Sequence, residues 1–321
     1  MISRIQLGID ISKRWFDVCV LAGKEASYFR YDNTPKGISL FLRAVEGLAK
    51  KHHVCMEYTG GYEKPLARAC CQAGFVVSLV DGAKISHFRK SFSSSGSATD
   101  KSSSYLLALY CKQRRPAQWF EVPDEYRTLK ELVRHRESLI ESKTAWTCRK
   151  KSITESELVS AQKEALCQVL ALQIKELEEA ILALIKKHPH LEEAFQLLKT
   201  VPSIGPVSAA RILAETGPID NYACAKAYAL NAGLAPITIH SGQKTPPGML
   251  PVYGNRDLRC ALFFPAVVSK RTGKGVGPFM EKIEAHGNKL KMTVITAGMR
   301  KLAHVVYGVL KNKTPFDPNM I

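Results

Sequence analysis

The sequence predicts an α/β domain followed by an all-α region, and three observations carry that reading. The first hundred or so positions alternate short β-type runs with amphipathic stretches. After Pro123 the next ~65 residues keep a helical period almost without interruption. Beyond Pro189 the pattern stays helical and opens on a Pro/Gly hairpin between two apolar helices. The chain has 321 residues, 45% hydrophobic and 23% charged, the proportions of a folded globular protein. At that length two or three structural units are expected, because single cores stop growing before this size.

Taken in order, Ile5 to Ile11, Trp15 to Leu21 and Ser27 to Tyr31 read as three strands, and their short connections favour antiparallel neighbours. An amphipathic stretch from Lys36 to Lys50 follows, then a strand Val54 to Tyr58, a helix from about Tyr62 to Ala73 and a strand Val76 to Val80. The order βββαβαβ describes a mixed sheet covered by helices, the element order of RNase H-like nucleases. Residues Ser91 to Ser104 are rich in serine and are expected to form a surface loop, with a helix from near Asp100 to about Gln113. Pro116 and Pro123 mark the change of character. Leu170, Ile174, Leu177, Ile181 and Leu184 step by four and three, a coiled-coil seam that serves an intramolecular hairpin or an oligomer contact equally well. Three segments are expected: 1–115 as the sheet domain, 116–190 as a helical coiled-coil segment, and 191–321 as a mostly helical carboxy-terminal domain.

The charge balance points to the class of partner. Lys and Arg outnumber Asp and Glu by 46 to 29, a formal net charge of +17, which favours a polyanion. The nine cysteines include no CxxC pair, so neither a zinc ribbon nor a disulfide framework is expected. The opening residues place charges inside their apolar runs, unlike a signal peptide, and nothing later reaches transmembrane length. The expectation is a cytoplasmic protein that acts on nucleic acid at the nucleoid and has no membrane partner.

Two acidic residues stand where acids are costly. Asp10 interrupts the apolar strand Leu-Gly-Ile-Asp-Ile, and Glu57 ends the fourth strand in Met-Glu-Tyr-Thr-Gly-Gly. In the inferred sheet those strands are neighbours. One carboxylate from each, facing the same edge, could share divalent cations, with Asp100 closing the cluster from the start of a later helix. The plainer reading of Asp10, an edge residue bonded to backbone, stays open. Asp17, on the second strand, is equally well explained as a solubilising hairpin residue and is set aside.

The carboxy-terminal region carries three further features. In the hairpin Val201-Pro-Ser-Ile-Gly205-Pro, a tight turn would let backbone N–H groups of the next helix approach a phosphate, as in helix-hairpin-helix units. An ordinary helix-packing corner would use the same Gly and Pro. In Gly233-Leu-Ala-Pro-Ile-Thr-Ile-His-Ser241-Gly-Gln-Lys244, Ser241 is a potential nucleophile once its proton is removed, although a Ser-Gly pair in a loop serves turns for backbone reasons alone. Arg256 and Arg259, three apart at the start of an apolar helix spanning Leu258 to Val268, share a face that could hold phosphates or simply be solvated. Lys270 to Gly277 lacks the spacing of a phosphate-binding loop and is discarded. The last helix, Lys289 to Lys311, has an apolar stripe including Val294, Ala297, Leu302, Val305 and Val309 that reads as core.

Gly8-Ile-Asp10-Ile-Ser-Lys, Met56-Glu57-Tyr-Thr-Gly-Gly, Ala98-Thr-Asp100-Lys, the Val201 to Glu215 hairpin, Gly233-Leu-Ala-Pro, Ser241-Gly, Gly254-Asn-Arg-Asp-Leu-Arg259 and Met299-Arg-Lys-Leu follow one another in an order that resembles the IS110 insertion-sequence transposases, especially their IS1111 branch, with a pilin-gene invertase as a relative. The resemblance covers essentially the whole chain. It implies a RuvC-like domain whose four acids, Asp, Glu, Asp and Asp, bind Mg2+, and a carboxy-terminal domain whose serine becomes covalently joined to DNA. Asp10, Glu57 and Asp100 match the first three acids, and Ser241 matches the serine. The fourth acid falls on Ser103, which offers a neutral oxygen and so predicts weaker binding of a second cation. Lys101, Gly205, Lys244, Arg256 and Arg259 are the expected nucleic-acid contacts.

The resemblance further implies donor and target DNA as substrates, an element-encoded noncoding RNA as guide, and a homo-oligomer, a dimer or a tetramer. The leading expectation is an RNA-guided transposase that cuts and rejoins DNA through a phosphoserine at a composite carboxylate and serine site. Two alternatives are a nucleic-acid-binding scaffold impaired by Ser103 and a RuvC-like metal-dependent endonuclease that leaves free ends.

Overall fold

The computed structural model describes residues 5–47, 52–91, 100–149, 156–236, 250–251, 253–287 and 290–320, with the side chains at 100–102, 149 and 320 outside the description. It divides into two compact units, Met1–Glu121 and Val122–Ile321.

The first unit is a five-stranded mixed sheet clad by helices on both faces. Strands β1 (Gln6–Ile11), β2 (Trp15–Ala22) and β3 (Glu25–Asp32) form an antiparallel meander. Helix α1 (Pro35–Ala44) leads to β4 (His53–Glu57), which pairs parallel to β1, and α2 (Lys64–Gln72) leads to β5 (Val76–Val80), parallel to β4. The sheet order is β3-β2-β1-β4-β5, so the expected element order and the expected β1–β4 adjacency are both present. Helix α1 is shorter than its amphipathic stretch. Thr34 starts it, accepting a hydrogen bond from the Gly37 N–H, and Val45 caps its end.

Strand alternation divides the two faces. Leu7, Ile9, Ile11, Val54 and Met56 pack with Phe41 of α1 and Leu66 of α2 in the larger core, while Cys55 and Val80 pack on the other face with Ile85, Leu107 and Cys111. Those last three belong to α3 (Gly82–Lys90) and α4 (Asp100–Arg114). A Cβ on Gly8 would overlap the Ser104 carbonyl and the Ala108 backbone, so only glycine lets α4 lie this close to β1. The Cys111 thiol reaches the His53 carbonyl, 3.8 Å away at the start of β4. Helix α4 therefore runs opposite to β1 and β4, and its first turn arrives at the ends of the strands that carry Asp10 and Glu57. The expected loop and the expected helix overlapped over 100–104; α4 takes these residues, in line with its expected start near Asp100, and Ser104 is fully buried instead of lying at the surface, because close packing of α4 on Gly8 favours small side chains. The rest of the expected loop, 92–99, lies outside the described residues.

Every regular element among the described residues of the second unit is a helix. Helices α5 (Asp124–Arg149) and α6 (Glu157–Lys187) pack along each other; of the expected seam, Leu170 and Ile181 are buried. The intramolecular hairpin is thus realised within one chain. Its inner residues Leu129, Val133, Ile181 and Ile185 belong to one core with α7 (Pro189–Lys199), α8 (Pro206–Thr216), α9 (Ala225–Asn231), α10 (Arg256–Thr272), α11 (Gly277–Ala285) and α12 (Lys291–Asn312). Val294, Leu302, Val305 and Val309 of α12 are buried in it. The discarded Gly-rich stretch ends α10 at left-handed Gly273, and Gly275 lies against the Pro202 carbonyl.

Candidate active site

In parallel pairing Ile9 lies opposite Met56, and the next step along both strands is Asp10 beside Glu57. Both side chains leave the sheet on the α3/α4 face, because their neighbours Ile9 and Met56 point into the opposite core. The Glu57 carboxylate lies over Gly82, where a Cβ would strike Oε1, so the start of α3 leaves room for it. Burial first, and then the negative charges of Asp10 and Asp81, push the Glu57 carboxyl above the usual range, while Arg89 pulls it back. Two adjacent, partly desolvated carboxylates are a hard-oxygen donor set of the kind that takes a divalent cation. Among the described residues no group of three or more His, Cys, Asp or Glu is placed to hold a metal. The Asp100 and Lys101 side chains lie outside the description, although their backbone forms the first turn of α4.

Ser103, the match to the fourth acid, is half-buried and accepts a hydrogen bond from Arg89 Nη2 at 3.1 Å. Arg89 ends α3 within range of Glu57, and no pattern in the sequence marked it. Asp17, opposite Asp10 in the β1–β2 pairing, accepts two hydrogen bonds from Arg30, at 2.8 and 2.9 Å. The Gly60-Gly61 stretch has open space around it and positive φ at both residues. Those glycines serve the turn, where Glu63 accepts from the Thr59 and Gly61 N–H groups.

In the second unit Ser241 and Lys244 lie outside the described residues, but the chain on either side of them is described. Gly254, at φ +110°, lies against the Gly233 backbone, where a Cβ would come within 2.7 Å of its nitrogen. The Asn255 N–H donates to the Asn231 carbonyl at 2.6 Å, and its side-chain oxygen caps α10 by accepting from the Asp257 and Leu258 N–H groups. Its amide donates to Glu215 at 2.9 Å. Glu215 is almost fully buried and also takes Arg134 at 2.7 Å and Lys130 at 3.0 Å. Burial alone would raise the Glu215 carboxyl; the hydrogen bonds from Arg134, Asn255 and Lys130 outweigh it and hold the group below its ordinary value. Neither Asn255 nor Glu215 stood out in the sequence as a hub.

The expected phosphate contacts separate. Arg256 is exposed. Arg259 is half-buried, with its guanidinium against Gly233 and its Nη1 buried without a hydrogen-bond partner among the described residues. In the 201–205 hairpin the left-handed residue is Ser203, at φ +84°, whereas Gly205 is extended and has open space where a Cβ would be. Gly205 therefore starts α8 rather than forming the sharp turn, and the hairpin is braced by a 2.8 Å bond between the Ser203 and Ser269 hydroxyls. Packing on the α10–α11 corner accounts for the hairpin's shape.

Two family profiles match the chain: one described as "Transposase" over residues 7–156, and one described as "Transposase IS116/IS110/IS902 family" over residues 195–280. The pilin gene-inverting proteins of Moraxella bovis and Moraxella lacunata are 31% and 30% identical to it over 98% of each chain. An insertion element IS110 protein of 43.6 kDa from Streptomyces coelicolor is 26% identical over 46% of this chain and 35% of its own length. These likenesses define a DNA recombinase of the transposase class. The chain belongs to the IS116/IS110/IS902 transposase family, together with the pilin gene-inverting proteins.

Proposed function

We propose that this enzyme cuts and rejoins DNA through a covalent phosphoserine, with Ser241 as nucleophile and Asp10, Glu57 and Asp100 as the acidic set. The single observation that carries the metal half is the β1–β4 register, which sets Asp10 beside Glu57 on the face reached by the first turn of α4. The strand order β3-β2-β1-β4-β5 supports an RNase H-like assignment. Those carboxylates would hold a divalent cation, Mg2+ by the chemistry of hard oxygen donors, and a cation there supplies charge neutralisation at the phosphodiester. The Ser241 hydroxyl oxygen forms a bond to phosphorus as a sugar oxygen leaves; a second sugar hydroxyl then displaces the serine, so the ester bond is conserved without a nucleotide cofactor.

Three segments divide the work in this reading: 1–115 carries the acids, 116–190 is a helical coiled-coil linker, and 191–321 carries the serine and the helix-hairpin-helix-like unit, in a homo-oligomer that is a dimer or a tetramer. Lys101, Lys244, Arg256, Arg259 and the hairpin at Gly205 contact nucleic acid. The +17 charge suits a protein that binds donor and target DNA through their backbones, while an element-encoded RNA chooses sequence by base pairing. Among the described residues no helix is long and apolar enough to cross a membrane.

The test is a denaturing gel of protein incubated with cognate DNA and Mg2+. A covalent protein–DNA adduct is expected, and Ser241→Ala should abolish it while nucleic-acid binding persists. An adduct that survives in the alanine variant removes Ser241 from the mechanism; free ends without an adduct favour water as the nucleophile. The Arg89–Ser103 contact favours one second reading, a binding scaffold impaired at the fourth acidic position. Activity seen only after Ser103→Asp would establish that reading. Sequencing the RNA that copurifies with the protein tests the guide.

A further inference from the structure

Arg89 is a cationic side chain near Glu57 that the proposed chemistry leaves unused. It sits at the end of α3, whose first residue, Gly82, makes room for Glu57. Its positive charge acts on Glu57, and its Nη2 is held at 3.1 Å by the Ser103 hydroxyl. Its Nε is buried with no hydrogen-bond partner among the described residues. A purely structural arginine at such a place would be expected to spend its buried donors on carbonyls or carboxylates. This one is anchored by a neutral oxygen and close enough to Glu57 for its charge to act there, with a donor that has no partner among the described residues.

We propose that the Arg89 guanidinium, anchored by Ser103, is a built-in cation of the carboxylate edge that takes the place of a second divalent ion, so that the chain binds one divalent ion where two would otherwise be held. The inference rests on the carboxylate reading given above. Its logic is charge balance. Two adjacent carboxylates repel each other and need a compensating cation nearby. A fixed guanidinium supplies one charge permanently, and it lowers the local negative potential that a mobile ion would exploit. Ser103 completes the arrangement, because an acid at 103 would add a ligand and would also pair with Arg89. A serine keeps the guanidinium in position without cancelling its charge.

The experiment is Mn2+ binding to the purified full chain, counted by electron paramagnetic resonance and titrated by calorimetry, with no DNA and no turnover. Wild type should bind one Mn2+. Arg89→Gln should bind it about tenfold more tightly, the order expected for removing one unit of charge across a partly buried site, and Arg89→Lys should stay near wild type. Ser103→Asp alone gives Arg89 a carboxylate partner and should still bind one ion, whereas Arg89→Gln with Ser103→Asp should bind two. Thermal melting in EDTA provides an independent readout: Arg89→Gln should melt below wild type and recover on adding Mn2+, because an ion then replaces the lost charge. If Arg89→Gln does not fold, Ser103→Ala tests the same idea by releasing the anchor, with a smaller tightening expected. Two ions on the wild type, or no tightening in either variant, overturns the proposal. Absence of any Mn2+ binding that Glu57→Gln can remove overturns the carboxylate reading as well, and is recognisable as a different result.

Discussion

The two units hold their polar groups in opposite ways. In the first, backbone does the positioning: parallel pairing sets Asp10 beside Glu57, and the bare Gly8 surface brings in α4. In the second, side chains do it: Glu215 gathers Lys130, Arg134 and Asn255, and Asn255 in turn starts α10 and ties the chain to Asn231. Backbone pairing follows from strand patterns, and a residue's face follows from its parity. A side-chain clamp follows from neither, because its partners stand far apart in sequence. Errors in the first region should therefore have the larger effects, and those in the second the smaller ones.

The largest expected effect is on chemistry with the fold left intact. Glu57→Gln, or Asp10→Asn, removes a charged carboxylate with almost no change in side-chain volume. DNA cleavage should fall by about a thousandfold or more, while thermal melting and DNA retention in a gel-shift assay stay near wild type. Cleavage close to the wild-type rate would show that the two adjacent acids have no part in the reaction, and would leave their juxtaposition a structural accident.

Next comes the backbone contact itself. Gly8→Val puts a branched side chain into the space held by the Ser104 carbonyl and the Ala108 backbone, neither of which can rotate away. Helix α4 must then shift, at a cost of about 3 kcal/mol or more, read as a lower urea midpoint. Cleavage should fall along with stability, since Asp100 and Ser103 ride on the same helix. Gly8→Ala should show the same effect in weaker form, and an alanine variant as stable as wild type would refute the close approach.

Graded loss is expected at the clamp. Asn255→Ala removes the cap of α10, worth about 1 kcal/mol, and takes one hydrogen bond from a buried carboxylate, worth about 1–2 kcal/mol more. Melting of the second unit should drop by several degrees, roughly 5–10 °C. Asn255→Asp keeps the cap but sets a second carboxylate against Glu215, so it should restore less than a cap alone would. Equal stability of Asn255→Asp and wild type would show that the Glu215 contact contributes nothing.

How much of this was legible in the sequence follows the same division. The element order and the start of α4 at Asp100 came from periodicity and connection length, which record local backbone preference; the β1–β4 adjacency came from matching that order to an RNase H-like sheet. The acids were visible because a charge inside an apolar strand is costly. Arg89 was not visible, because one arginine in a basic chain carries no pattern; only folding brings α3 beside Ser103. Asn255 and Glu215 were hidden for the same reason, their bond joining residues 40 apart, and the Arg134 bond to Glu215 spans 81. The hairpin's tight turn was legible from its Gly and Pro, but not that Ser203 is its left-handed residue, in a corner braced by Ser269.

The smallest effect, and the one that isolates electrostatics within the clamp, is the pH dependence of Glu215. Its carboxyl lies below the ordinary value of 4.5 in the folded chain, so the folded state binds its proton less readily than the unfolded state does. Such a group adds stability that is fully present above the unfolded value and is lost as pH falls through the lower, folded one. Glu215→Gln keeps the shape and has no charge to lose. The melting difference between wild type and Glu215→Gln should therefore be constant from pH 7 to about pH 5, and should shrink as pH drops below 4.5. Lys130 and Arg134 are partly exposed, so solvent screens the attraction and the change should be smaller than the loss at Asn255. A difference that stays constant down to pH 3 would mean that Glu215 acts through shape and neutral hydrogen bonding alone, and that the clamp owes nothing to its charge.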